Sequence, residues 1–123
     1  ALREADLGEA RRRYEAALAI YPVIGDRLGE ANVNLSLGDL CRQTRDLEQA
    51  WRHYLFALRF YTHVQDRYSV ARVLYRQGDW HVEQGQTADA RGLYVQAIEL
   101  WTAIGLANLA DQIIGPRLHR LGR

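Results

Sequence analysis

Apolar and small residues recur along this chain at helical spacing. In residues 45–66, RDLEQAWRHYLFALRFYTHVQD, Ala50, Tyr54, Ala57, Leu58 and Tyr61 fall at i, i+4, i+7, i+8 and i+11. That spacing lines one face of an α-helix. Residues 5–26 carry the same stripe as Ala10, Tyr14 and Ala17, and residues 85–106 carry it as Ala90, Tyr94 and Ala97. A second kind of amphipathic segment lies between them, marked by Ala31, Leu35, Leu37 and Leu40. Alternating β-branched runs, the mark of strands, are scarce. The pattern predicts helices over 6–23, 28–44, 47–64, 68–84, 87–104 and 106–121. Asp46 is placed to cap the third helix, Gly85 suits a left-handed helix end, and Gly115-Pro116 should bend or interrupt the last helix.

The stripes repeat with a period of forty. Laying residues 26–65 over 66–105 gives ten identities without a gap, and laying 1–25 over 41–65 gives eight. A fixed period of this size decides the fold, because each helix pair can bury its apolar surface only against its neighbours. The expectation is one all-α domain over 1–123, a right-handed superhelical α-solenoid of antiparallel helix pairs. It has two and a half to three repeats: a partial unit at about 1–25, full units at 26–65 and 66–105, and a partial unit at 106–123.

Composition narrows the function classes. Sixteen basic residues, every one Arg, stand against fifteen acidic ones. This balance gives no general case for nucleic acid or a charged membrane. A single cysteine, Cys41, excludes an internal disulfide and fits a reducing, cytoplasmic setting, where it reads as a small core residue. The chain opens on Ala1 and contains no Met, which reads as a piece of something larger.

With these residues in view, the chain resembles a tetratricopeptide repeat protein. Leu37-Gly38, Ala50, Tyr54 and Ala57 match the family pattern, as do Gly78, Gly85, Ala90, Tyr94 and Ala97, and Pro22 falls where the family often ends its second helix. The forty-residue period resembles the longer repeat variant of signalling scaffolds and bacterial multidomain regulators. The departures are Asn34 and Leu74 for a frequent Trp, Cys41 and His81 for Tyr, Gln77 for Leu, and Arg45 for the turn Gly. Trp51, Trp80 or Trp101 should compensate for the lost bulk.

The resemblance implies a non-catalytic module that binds a peptide or partner domain on the side lined by the first helix of each pair. The inward positions it implies are Asn32, Leu35, Ser36, Asp39 and Arg42 in one repeat, and Arg72, Tyr75, Arg76, Asp79 and Val82 in the next. Arg72 and Arg76, one turn apart, could hold an acidic segment bidentately. The likeness to the chaperone-binding carboxylate clamp is partial, since Leu35 and Asp39 occupy places of polar or basic groups. The competing expectation is an Arg/Asp network of Arg72 and Arg76 with Asp39 and Asp79 that merely neutralises the groove. A further alternative is an assembly module, a homo-oligomer stacked through exposed end helices.

Catalytic chemistry finds no support. His53, His63, His81 and His119 lack paired metal spacing, so no metal or cofactor is expected. No phosphate-cradling glycine loop or nucleophile–base arrangement is present, and Arg11-Arg12-Arg13, flanked by Glu9 and Glu15, reads as a solvated face.

Overall fold

The structure, a computed structural model, describes residues 4–122. It contains α1 (Glu4–Ile24), α2 (Arg27–Gln43), α3 (Leu47–His63), α4 (Arg67–Val82), α5 (Thr87–Ala103), α6 (Ala107–Ile113) and α7 (Gly115–Leu121). No strand occurs among the described residues. The fold is the all-α repeat solenoid that the periodicity predicts. It packs as two compact units, one ending at Phe60 and one beginning at Tyr61.

Three helices, α2, α3 and α4, start on aspartates. Asp26 accepts from the Gly29 N–H at 2.8 Å, Asp46 from Gln49 at 3.4 Å and Asp66 from Ser69 at 3.0 Å. Each satisfies an N–H that the first helical turn leaves without a partner.

The helices end on a left-handed residue every twenty positions. Gly25, Arg45, Gln65, Gly85 and Gly105 all have φ between 60° and 84°. At each junction the following residue reaches back five positions: Asp26 to Tyr21, Asp46 to Cys41, Asp66 to Tyr61, Gln86 to His81 and Leu106 to Trp101. This is the Schellman arrangement, in which the left-handed residue closes the helix by satisfying its last carbonyls. The last helical stretch is instead interrupted within itself. Pro116 has no N–H to continue the ladder, and the chain breaks at buried Ile114 into α6 and α7.

In the first unit α1 packs on α2, and Gly38 of α2 meets the Tyr54 ring of α3. In the second unit α4 packs on α5, with Gly78 against the Tyr94 ring, and α6 and α7 close over α5. A β-carbon on Gly38 or Gly78 would stand only 2.5 Å from ring atoms, so these glycines are needed for the close approach. The predicted stripe forms the core on α3 and α5, where Ala50, Tyr54, Ala57, Tyr61, Ala90, Tyr94, Ala97 and also Trp101 are each at most 1 % exposed, whereas Leu58 and the α1 copy Ala10, Tyr14 and Ala17 are only half-buried.

Trp101 supplies the bulk that the first helices lack. It stacks on Tyr68 with centroids 5.8 Å apart and donates its indole N–H to the Tyr68 carbonyl at 3.1 Å. Trp51 and Trp80 are half-buried.

Candidate peptide-binding faces

In the first unit α2 carries the predicted inward residues in unequal states. Asn32 is exposed, Ser36, Asp39 and Arg42 are half-buried, and Leu35 is a core residue, 2 % exposed. Burial takes Leu35 out of reach of a partner. Tyr54 organises its neighbours: its hydroxyl donates to Asp39 Oδ1 at 2.6 Å and accepts from Arg42 Nε at 3.2 Å. Burial first, and then the Asp39 carboxylate, push the Tyr54 pKa well above the usual phenol range. Ser36 and Asp39 border a pocket of about 180 Å³ that Ala10, Tyr14, Leu40 and Gln43 also line.

Behind this face lies a polar cluster. Asn34, buried, donates to the Glu30 carbonyl at 2.8 Å, which turns its Oδ1 toward His53 Nδ1, also at 2.8 Å. The carbonyl can only accept, so His53 is the donor at Nδ1. Burial, reinforced by the Arg11 charge, lowers the His53 pKa and favours this neutral form. Arg11 itself points at Cys41 Sγ and Thr44 Oγ1, 3.7 and 3.4 Å away. Arg13 pairs with Glu9 at 2.7 Å on the solvated side. Cys41 is fully buried, and that burial raises its pKa, as expected of an inert core thiol.

In the second unit α4 holds two guanidinium groups against tyrosine rings. Arg72 lies 5.6 Å from the Tyr68 centroid and hydrogen-bonds the Tyr61 hydroxyl. Arg76 lies 4.9 Å from the Tyr75 centroid and donates to the Arg72 carbonyl at 3.1 Å. Both are half-buried, while Tyr75 is 9 % exposed and Val82 is exposed. Asp79 is taken up elsewhere. It accepts from the Tyr94 hydroxyl at 2.5 Å and from Arg117 Nε at 2.9 Å.

Arg117 was not legible as a site residue. Its guanidinium lies 4.7 Å from the Tyr75 centroid and donates from Nη1 to the Ile113 carbonyl at 2.6 Å. It sits 38 residues from Asp79, off the forty-residue period, so no repeat alignment points to it. Only the repetition of Gly-Asp and Tyr at fixed offsets carried a signal for the paired contacts at Asp39 and Asp79.

Among the described residues, no group of three or more His, Cys, Asp or Glu side chains could hold a metal ion, and no helix is long and apolar enough to cross a membrane. A family model of the tetratricopeptide repeat matches residues 30–103. The chain belongs to the tetratricopeptide repeat family. Tetratricopeptide repeats generally mediate protein–protein interactions and are generally non-catalytic. No curated protein and no solved structure matches the chain.

Proposed function

We propose that this tetratricopeptide domain is a non-catalytic interaction module that takes an acidic peptide or partner domain on the inward face of α4, within a larger cytoplasmic signalling or regulatory protein. The observation that carries the reading is the Arg72/Arg76 pair, one turn apart on α4 with each guanidinium laid against a tyrosine ring. A guanidinium held this way loses less freedom on binding than a solvated one, and its fork matches a carboxylate. In the other unit, Asn32, Ser36 and Arg42 present polar groups on α2 that suit a peptide backbone by themselves.

The test is a screen of acidic peptides against the immobilised chain. A peptide that binds should lose about tenfold in affinity with Arg72→Ala or Arg76→Ala, while circular dichroism stays unchanged. Binding indifferent to both substitutions would falsify the assignment of this face.

A further inference from the structure

The second repeat departs from the first along one side of its helix pair. Forty residues on, Glu30 and Asn34 of α2 become Val70 and Leu74 of α4. Phe56, Arg59 and Phe60 of α3 become Gln96, Glu99 and Leu100 of α5. In the first unit Asn34 is buried and held by a hydrogen bond with His53. In the second, leucines stand at both of those places, Leu74 and Leu93, and a glutamine and a leucine replace two phenylalanine rings.

These smaller side chains border a hollow of about 460 Å³ between α4 and α5, lined by Val70, Leu74, Gln96, Glu99 and Leu100. That volume is within the range of pockets that take a ligand group, roughly 300–1,000 Å³. The floor is apolar: Val70 and Leu100 are half-buried and Leu74 is 8 % exposed. Covering it with an apolar group removes that surface from water, and a groove between two helices suits a third helix. The rim selects the charge of the visitor. Glu99 is exposed, stands where the first repeat has Arg59, and has no hydrogen-bond or ion-pair partner among the described residues.

We infer that this hollow receives a basic amphipathic helix of a partner protein. An apolar side chain of that helix enters beside Val70, Leu74 and Leu100, and a lysine or arginine one turn away pairs with Glu99. Long basic side chains fit such a place, because their stems cover apolar surface while the charged head reaches the rim. The site is separate from the acidic-ligand face. Two residues along a helix are a turn of about 200°, so Val70 and Leu74 lie on the opposite side of α4 from Arg72 and Arg76. This inference is therefore independent of the inward-face reading.

The probe is a capped helical peptide of leucine and lysine, with all leucines on one face, titrated into the full chain and followed by amide NMR shifts. Saturable shifts should gather at Val70, Leu74, Gln96 and Leu100. Glu99→Gln, which removes the rim charge, and Gln96→Lys, which adds a repelling one, should each weaken binding about threefold. Leu74→Trp should fill the hollow and abolish binding; the two rim substitutions are at exposed positions and decide the matter if that variant fails to fold. Arg72→Ala should change nothing, and the same peptide with glutamate for lysine should not bind here. The inference is overturned if no saturable shift occurs up to about 1 mM, if the shifts gather elsewhere, or if both rim substitutions are silent. It is equally overturned if the chain alone forms a dimer that Gln96→Lys dissolves, which would assign the hollow to a second copy. Loss of acidic-peptide binding at Arg72→Ala, with no shifts at the hollow, would leave the inward-face reading standing and remove this one.

Discussion

The hydroxyl of Tyr54 donates to Asp39 Oδ1 at 2.6 Å, joining two helices across fifteen residues of chain. The bond recurs forty residues later between Tyr94 and Asp79. Both phenols are buried beside a carboxylate that accepts their proton, so both pKa values are raised by burial and by that aspartate. The folded state therefore keeps two protons that the unfolded state releases near pH 10. Stability is complete below that value and falls as the pH rises above it. Urea titrations between pH 8 and about 11 should show this decline, and Tyr54→Phe should flatten it. At neutral pH the same substitution should cost about 1–3 kcal/mol, since it leaves Asp39 without the donor.

Two glycines in helices should respond in opposite directions. Gly38→Ala places a methyl against the Tyr54 ring and should destabilise by about 1–3 kcal/mol despite alanine's better helix propensity. Gly92, exposed within α5, has nothing within 4 Å of an added β-carbon. Gly92→Ala should therefore stabilise by about 0.5–1 kcal/mol. Thermal unfolding of the two variants decides the matter, and equal shifts would contradict the packing described.

The left-handed junctions predict another pair. Gln65 adopts φ 60° and Gly85 φ 73°. Gln65→Gly relieves the contact between its β-carbon and the backbone and should raise stability by about 0.5 kcal/mol. Gly85→Ala introduces that contact and should lower stability by about 1 kcal/mol. Chemical denaturation of both variants checks this, with helix content unchanged.

His53 gives an acid response. Its folded pKa is lowered by burial and by Arg11, so between that value and the ordinary one near 6.5 the unfolded state binds more protons. Stability should be complete above about pH 6.5 and decline as the pH falls below it. His53→Gln keeps a donor for Asn34 and should reduce this decline, measured as denaturation midpoints from pH 5 to about 8. A slope unchanged by the substitution would assign the acid response to other groups.

Much of the fold is legible in the sequence because a helix repeat writes the same instruction several times. Ala50, Tyr54 and Ala57 mark the buried face, Asp46 marks a start, and Gly115-Pro116 marks the break. The observed helix bounds lie within about two residues of those that periodicity gives, as usual for fraying ends. What the pattern hides is contact between different helices. Arg45 reads as a departure from a turn glycine, yet it takes the left-handed conformation itself, with φ 66°, because the flanking helices impose it.

The candidate site was less legible. Leu35 shares the spacing of the inward residues but belongs to the core, and spacing alone cannot separate the two sides of a helix buried on most of its circumference. The expected network of Arg72 and Arg76 with Asp39 and Asp79 omits Arg117, which reaches Asp79 from α7.

The twenty-position interval between left-handed junctions acts as a ruler. One residue inserted within a helix would turn every later side chain about 100° around the axis, carrying Tyr54 off Asp39 or Tyr94 off Asp79. A chain built this way tolerates lengthening only by whole helix-and-turn steps. Growth by duplication keeps the contacts, and growth by single insertion does not.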